Sequence, residues 1–566
     1  MEQEAPRLSA TSRGYTIYYK ERYLLSPRDA QGGCERVVEA LPLKEDTLYV
    51  VASPLFGYGL PRLVARLPRG AALLCVELDP LLYHASVTEF CVFCKEVSSL
   101  PYLCTPSPEE VINFVRATWG PRRFRRVELL RITAGWQIHP AGYQEIVRLL
   151  EESIALDWFN AMTLTRLGRR YARNFIHNLA LLPQSHDARS LSWGNVPVLL
   201  CGAGPSLDET LSSLVHVLPS VKEKQQRPFK ILCVDTALRT LLLYGIIPDL
   251  VVVQEAQWWN LRDFVGIQDE DVAFLLDLCS LPAVPRLSVF KKAPLYLFYT
   301  PWTSLRFFSR LNKRNLLPLQ VPPLGSVGLT MLALARQIST GPLFVAGLDF
   351  SYTLEQFHCK GAPGFLESHY RLTRFVSPIQ GEKSFREKSR SLAHPFLALR
   401  TDPALLQYQQ LCVRQFSHYP IIFDLRPWGL DLGFPRRTIA EFVALLSEEV
   451  ADSGEMPGGV PPISGSSSAS PWAQKEVEQF LQNEKKTLAR IVGLLQGTED
   501  TAPGELGQLL SDLDYLWAHF PEWAGREGSL PPTQDISFLK RVRAELDFFI
   551  KTVELALEEI CIHGLF

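Results

Sequence analysis

Val196-Pro-Val-Leu-Leu-Cys201-Gly-Ala-Gly-Pro-Ser-Leu-Asp-Glu209 is the stretch whose reading decides the fold. An apolar run ends in a loop of two glycines and a proline, and helical periodicity starts directly after it, so a buried strand turns tightly into a helix. Gly202 and Gly204 permit close backbone approach by a ligand, Pro205 stiffens the turn, and Ser206 with Glu209 three positions on predicts a capping box. N–H groups at such a helix start favour an anion. Leu207 stands where a dinucleotide loop has its third glycine, which leaves two readings of the loop, a phosphate cradle or a tight strand-to-helix turn.

Working outward, strands are predicted at Val196–Cys201, Phe229–Val234, Leu250–Gln254, Val272–Leu276, Leu295–Tyr299 and Leu343–Ala346, alternating with helical stretches. That alternation predicts an α/β fold with a central, Rossmann-like, mostly parallel sheet covered on both faces. Upstream, residues 145–190 read as helical and carry Asn174 and Asn178 one turn apart. Residues 1–150 form a smaller α/β domain in which Thr47–Ala52 and Ala72–Glu77 frame a βαβ unit. Its turn, Ser53 to Pro61, holds Gly57 and Gly59, and Glu77 sits where a ribose-binding acid would. Pro54 and Phe56 stand where backbone should approach a pyrophosphate, so this domain is expected to be structural. Downstream, Asp452–Pro471 is rich in Ser, Gly and Pro and reads as a linker, and 472–566 as an all-helical C-terminal module of about three helices.

The 566 residues suit three or four domains, and 58 Lys+Arg against 60 Asp+Glu leave a formal charge of -2. That balance carries no electrostatic footprint for nucleic acid, and the run Arg122, Arg123, Arg125, Arg126 reads as a solvated face. No apolar run reaches membrane-span length and the start Met1-Glu-Gln-Glu4 is acidic, so a soluble, cytoplasmic protein is expected. Eleven cysteines scattered through apolar runs suit reduced, buried thiols.

Beyond the first loop, Asp235 and Glu255 end successive strands at the edge where open α/β sheets bind ligands, and Asp249 reads as opening its strand. Gly325, Ser326 and Val327 precede a second helix, with Ser326 placed as its cap. Gly347 and Asp349 follow the last strand, and Tyr352, His358 and Lys360 follow them. Such a loop offers acid, base and hydrogen-bonding groups. Cys91, Cys94 and Cys104 lack the spacing of a zinc site. Neither a P-loop nor a Gly-x-Ser-x-Gly elbow is present. Trp258-Trp259 reads as core or interface packing rather than as a platform for a sugar.

Taken in order, Gly202-Ala-Gly-Pro-Ser-Leu-Asp208, Asp235-Thr-Ala-Leu238 with Leu242-x-x-Gly245-Ile-x-Pro248-Asp249, Gly325-Ser-Val327 and Gly347-x-Asp349-x-x-Tyr352-Thr353 carry a family resemblance. Residues 165–430 resemble the central domain shared by bacterial motility-associated factor (Maf) glycosyltransferases and the archaeal, MptE-like 6-hydroxymethylpterin diphosphokinases. The flanks, with the N-terminal α/β domain, the paired asparagines and the helical C-terminus, are similar to the Maf side. The resemblance implies transfer of a nonulosonic acid, of the pseudaminic or legionaminic type, from a CMP-activated donor to Ser or Thr hydroxyls of flagellin, with no obligatory metal or other cofactor. It implies that Gly202, Gly204, Pro205 and Ser206 cradle the nucleotide phosphate with Asp208 nearby. Asp235 would hold the ribose or cytosine, and Gly325, Ser326 and Val327 would close over the nucleotide. Gly347 and Tyr352 would meet the substrate, and the base would come from Asp349, His358 or Glu255. Two alternatives accompany this reading. One is a pterin diphosphokinase, with ATP and Mg²⁺ held by Asp235, Asp249 and Glu255. The other is a non-catalytic protein that binds a flagellar client through its helical C-terminus.

Overall fold

Apolar runs bounded by turn residues become the parallel strands of two separate sheets in the computed structural model, which describes residues 5–95, 97, 100–120, 122–267, 271–290, 293–376, 389–453, 470–500, 502–523 and 530–563. The chain divides into two units, Met1–Arg166 with Ala518–Ser529, and Leu167–Trp517 with Leu530–Phe566.

In the first unit, β1 (Arg7–Ala10), β2 (Tyr15–Tyr19) and β3 (Arg22–Tyr23) form an antiparallel sheet. A parallel sheet has the order β6-β5-β4-β7, from β4 (Thr47–Ala52), β5 (Ala72–Glu77), β6 (Tyr102–Cys104) and β7 (Arg126–Leu130). The first two of these, β4 and β5, are buried along their whole length, as a sheet covered on both faces requires. The turn after β4 folds into its own core. Leu55 and Phe56 are fully buried, and a Cβ on Gly57, whose φ is +74°, would lie 2.7 Å from Cys94 Sγ. Glu77 is also sealed in. Its carboxylate accepts from Ser53 Oγ at 2.6 Å, Leu78 N at 2.9 Å and the Tyr143 hydroxyl at 3.1 Å.

In the second unit, a nine-stranded parallel sheet runs β14-β13-β12-β11-β10-β9-β15-β19, with β8 paired to β13. Its strands are β8 (His186–Asp187), β9 (Val198–Cys201), β10 (Lys230–Val234), β11 (Leu250–Val253), β12 (Ala273–Asp277), β13 (Leu295–Tyr299), β14 (Leu319–Gln320), β15 (Leu343–Ala346) and β19 (Ile422–Asp424). A small antiparallel sheet holds β16 (Tyr352–Thr353), β17 (Arg390–Leu392) and β18 (Leu399–Thr401). Strand β9 starts two residues later than the sequence suggests, because Pro197 has no N–H to give the ladder. Strands β8, β14 and β19 were not expected, since two or three residues are too few to show a period. The chain leaves β9 toward β10 and later returns to place β15 on the other side of β9, so the sheet reverses its order between β9 and β15.

Helix α1 (Pro140–Asn178) leads into this unit. Helices α2 (Leu207–Val217) and α3 (Asp235–Leu243) follow β9 and β10, and α4 (Val327–Ile338) precedes β15. The C-terminal helices α5 (Gln474–Gln496) and α6 (Ile536–His563) belong to the same compact unit as the sheet. They are fastened by a two-pronged Arg310–Glu484 pair at 2.7 Å and by Arg286 on Glu559 at 2.6 Å. Of the expected linker, Asp452 and Ser453 end a helix, Ile439–Ser453, and residues 454–469 lie outside the described residues.

At the amino edge of the sheet, just before β11, Asp249 accepts from Arg227 Nη2 at 2.9 Å, Lys230 Nζ at 3.3 Å and Ile231 N at 2.8 Å. Arg227 and Asp249 are 2% and 3% exposed, so neither charge has water to fall back on. Asp249→Ala strands a buried guanidinium and should cost about 3–5 kcal/mol. The measurement is the denaturant midpoint, and a shift no larger than that of a surface substitution would refute the assignment.

Candidate active site at the carboxyl edge of the large sheet

The loops after β9 and β15 meet at the point where strand order reverses, the place where open α/β sheets bind ligands. Gly204 N donates to Gly347 O at 2.6 Å. A Cβ on Gly202 would lie 2.5 Å from Gly347 O, and one on Gly347, whose φ is +63°, 2.4 Å from Gly202 O. These glycines therefore let two backbones touch each other. Ser206 N and Oγ both donate to Asp349, at 2.8 and 2.5 Å, and Ser206 is fully buried with Asp349 only 2% exposed. The anion at the start of α2 is thus the protein's own carboxylate, and a Cβ on Gly204 would collide with it at 2.4 Å. The capping box expected of Ser206 and Glu209 does not form, because the hydroxyl is spent on Asp349 and Glu209 accepts from Trp428 Nε1 at 3.3 Å. Burial pushes the Asp349 carboxyl up to about 6, against the opposing pull of Arg426 and the Ser206 bonds.

Around this clasp, Pro205 is buried, and Asp208 accepts from Gln356 Nε2 at 2.6 Å and Lys360 N at 3.0 Å, tying the segment beyond β15 to α2. His358 Nδ1 lies 3.3 Å from Ala203 O, and a carbonyl only accepts, so Nδ1 carries the hydrogen of that bond. Tyr352 is buried with its ring 4.7 Å from that of Phe357, in a packing role. Gly325, at φ +72°, sits beside the Tyr408 ring. Ser326 occupies the cap position of α4, but its side chain makes no capping bond. A Cβ on Gly328 would lie 2.4 Å from Leu348 Cδ1, which places the α4 start, with Val327, next to the clasp. The helix start open to an anion here is that of α4.

A second group lies where β10 and β11 end. Asn260 Nδ2 donates to Asp235 Oδ2 at 2.6 Å and to Asp263 Oδ2 at 3.1 Å, and Thr236 N donates to Asp235 Oδ1 at 2.8 Å. Burial, with the charge of a neighbouring carboxylate added, raises Asp235 to about 6 and Asp263 to about 8. Glu255 is half-buried, accepts from Gln257 N at 2.8 Å and adds its charge to both. The first group stands at the ends of β9 and β15 and the second beyond the ends of β10 and β11, and β9 and β10 are neighbours in the sheet. Asp235, Asp249 and Glu255 do not converge, since Asp249 is held at the opposite edge by Arg227 and Lys230. The residues present therefore do not fit the Mg²⁺ set of the diphosphokinase alternative. No cluster of three or more His, Cys, Asp or Glu side chains able to hold a metal occurs among the described residues.

Helix α1 lies against the loops that follow β11 and β12. Asn174 Nδ2 donates to Ala256 O and Cys279 O, both at 3.0 Å, and Asn178 Nδ2 to Leu278 O at 3.0 Å and Ser280 O at 2.9 Å. Both asparagines are fully buried, so the pair is a clamp that sets the two loops. Arg170, four residues before Asn174, shares its face of the helix, and Arg173 follows three residues on. Both are half-buried, and neither has a carboxylate within ion-pair distance among the described residues. Burial and the neighbouring Arg170 hold the Arg173 guanidinium below its usual range. Burial, with Cys279, Glu255 and Asp277 nearby, raises the Tyr171 hydroxyl. Sequence reading found the asparagines but passed over these cations, although Arg169-Arg170-Tyr171-Ala172-Arg173-Asn174 crowds them onto one turn.

Comparison with known proteins agrees with this anatomy. A family model described as 6-hydroxymethylpterin diphosphokinase MptE-like matches residues 173–355, from Arg173 in α1 to just beyond β16. An uncharacterized protein of Treponema pallidum (strain Nichols) is 30% identical over 569 residues, covering 96% of this chain and 94% of that one. The two chains belong to one family, and in this chain residues 173–355 are an MptE-like domain. This chain has the fold of a solved Maf glycosyltransferase from Magnetospirillum magneticum AMB-1, with a TM-score of 0.56 and 15% identity over 99% of this chain and 93% of that chain. No helix among the described residues of this family member is long and apolar enough to cross a membrane.

The raised carboxyls of Asp235 and Asp263 give this site a signature in pH. Unfolded, both carboxyls titrate near about 3.9. Between there and about 8 the native protein holds the extra proton, so the pair's contribution to stability falls as pH rises through that window. Asp263→Asn removes the ionisation and keeps an oxygen for Asn260. Its unfolding midpoint relative to the unmodified protein should therefore rise between about pH 5 and about pH 8. An equal difference at the two pH values would refute the raised Asp263 carboxyl.

Proposed function

We propose that this protein is a glycosyltransferase that moves a nonulosonic acid from a CMP-activated donor to Ser or Thr hydroxyls of flagellin, in the cytoplasm. The observation that carries the reading is the pair Arg170 and Arg173, cations without a carboxylate partner among the described residues, on the helix whose Asn174 holds the loops after β11 and β12. Such a donor bears two anionic groups, the phosphodiester and the carboxylate of the sugar, and two guanidiniums answer them. The open start of α4 at Ser326 and Val327 adds N–H groups for charge that develops on the departing phosphate. Asp235 and Asn260 suit the hydroxyls of a ribose. The solved protein of the same fold is described as a glycosyltransferase, which supports the reaction class.

In this reading the acceptor hydroxyl oxygen bonds to the anomeric carbon, the bond from that carbon to the phosphate oxygen breaks, and CMP leaves with the electron pair. The hydroxyl proton passes to Glu255, the half-buried carboxylate of the three base candidates. Asp349, enclosed by Ser206, is a positioning residue, and His358 orders the loop through Ala203. The reading routes no step through a metal.

CMP should raise the unfolding temperature equally with Mg²⁺ and with EDTA, by about 2.7 kcal/mol in stability at a hundredfold excess over Kd. In Arg170→Ala/Arg173→Ala the response to CMP should disappear while the unliganded midpoint moves little. An unchanged response would remove the two arginines from the site, and stabilisation by ATP with Mg²⁺ alone would favour the diphosphokinase.

A further inference from the structure

Trp258 and Trp259 are not core residues. They are 52% and 47% exposed, and their rings stack with centroids 3.7 Å apart and planes 32° apart. The short turn that carries them, Trp258–Phe264, is held rigidly from its inner side. Asn260, 1% exposed, is bonded to both Asp235 and Asp263, and Phe264 packs on Phe274 and Phe290. Holding two large aromatic side chains in water on an anchored turn forgoes the free energy of burying them, and exposed aromatics with a polar rim mark binding sites.

The rim here is specific. The Arg262 guanidinium lies 4.6 and 5.3 Å from the ring centroids of Trp259 and Trp258, and its Nη1 donates to Glu367 Oε2 at 2.6 Å. Both members of that ion pair are about a third exposed, so a donor set and an acceptor set flank the aromatic plate. The plate stands three residues beyond Glu255, at the edge of the proposed active site.

We propose that Trp258 and Trp259 form a carbohydrate platform, on which a pyranose ring lays its C–H face against indole while adjacent hydroxyls bond to Arg262 and Glu367. The electron-rich face of an indole attracts the polarised C–H bonds of a sugar ring. A hydroxyl needs both a donor and an acceptor, which the ion pair supplies. A purely apolar partner would leave that ion pair without a role. The placement beside Glu255 rests on the glycosyltransferase reading, whereas binding of a pyranose does not. The ring belongs either to the activated donor or to sugar already carried by the acceptor, and the two sources separate on titration.

The test uses the full chain and follows tryptophan fluorescence and saturation-transfer NMR with three probes: free N-acetylneuraminic acid, CMP-N-acetylneuraminic acid and N-acetylglucosamine. We expect saturable binding of at least one free monosaccharide, with transfer concentrated on the ring C–H protons. Trp258→Ala/Trp259→Ala should weaken it by about tenfold or more, and Arg262→Lys, which keeps the charge but not the fork, by less. The thermal response to CMP should be unaffected in either variant. Competition between free and CMP-linked N-acetylneuraminic acid would assign the plate to the donor, and simultaneous binding of N-acetylglucosamine and the CMP-linked sugar would assign it to the acceptor. The proposal is overturned if no monosaccharide binds, if binding survives loss of both tryptophans, or if CMP alone displaces the signal, which would make the occupant a nucleobase. A normal CMP response with no sugar binding would sink the platform and leave the proposed reaction standing. Sugar binding without any CMP response would do the reverse.

Discussion

Two hydrogen bonds from Ser206 to a buried Asp349 hold together the place where the large sheet changes direction. A parallel sheet that adds strands on one side and then on the other leaves two loops diverging at the turning point, and their free N–H groups have to be satisfied. Here the second loop satisfies the first. The bare Cα positions at Gly202, Gly204 and Gly347 are the steric condition for that contact, and Arg426, donating to Leu348 O at 2.7 Å, supports the second loop from behind. With the clasp closed, the electropositive end of α2 is neutralised internally. The start of α4, where Gly328 lies against Leu348, carries no such internal carboxylate cap.

The remaining chemistry follows from this division of labour. Asp235, just after β10, and Asp263, in the turn beyond β11, share one amide, Asn260, and burial with the charge of Asp235 pushes the Asp263 carboxyl up to about 8. Arg170 and Arg173 on α1 are half-buried without carboxylate partners among the described residues, on the helix whose Asn174 holds the loops after β11 and β12. Asn174 and Asn178 make the arrangement durable, because Asn174 spends its amide hydrogens on one carbonyl of each loop and Asn178 on two carbonyls of the loop after β12.

Much of the architecture was legible in the residues. Runs such as Leu295–Tyr299 and Leu343–Ala346 appear as strands with the expected ends, since a buried parallel strand needs only an uninterrupted apolar run between breakers. The edge strand Ile422–Asp424 was hidden because its pairing depends on β15, far away in sequence, and on nothing local. The loop Gly202–Ser206 was legible as a place of close approach, but not for what approaches: a ligand and a second backbone both require a missing Cβ, and only the distance to Gly347 separates them. Arg170 and Arg173 were overlooked because a helical run rich in arginine resembles a solvated face until the face is known to be turned toward a sheet edge. Trp258-Trp259 was assigned to core or interface packing, and its exposure removes the core half of that reading, since large aromatics are assigned to a core unless something holds them out of it.

Arg286 bonds to Asn178 Oδ1 at 2.9 Å and to Glu559 across 273 residues of sequence. The clamp that sets the loops after β11 and β12 is therefore braced by a helix made more than a hundred codons after the last strand of the sheet. During synthesis the strands can pair as they emerge, yet the crevice stays unbraced until α6 arrives. A nascent chain halted before that helix would hold a nearly finished sheet whose Asn178 clamp lacks the Glu559 anchor of Arg286.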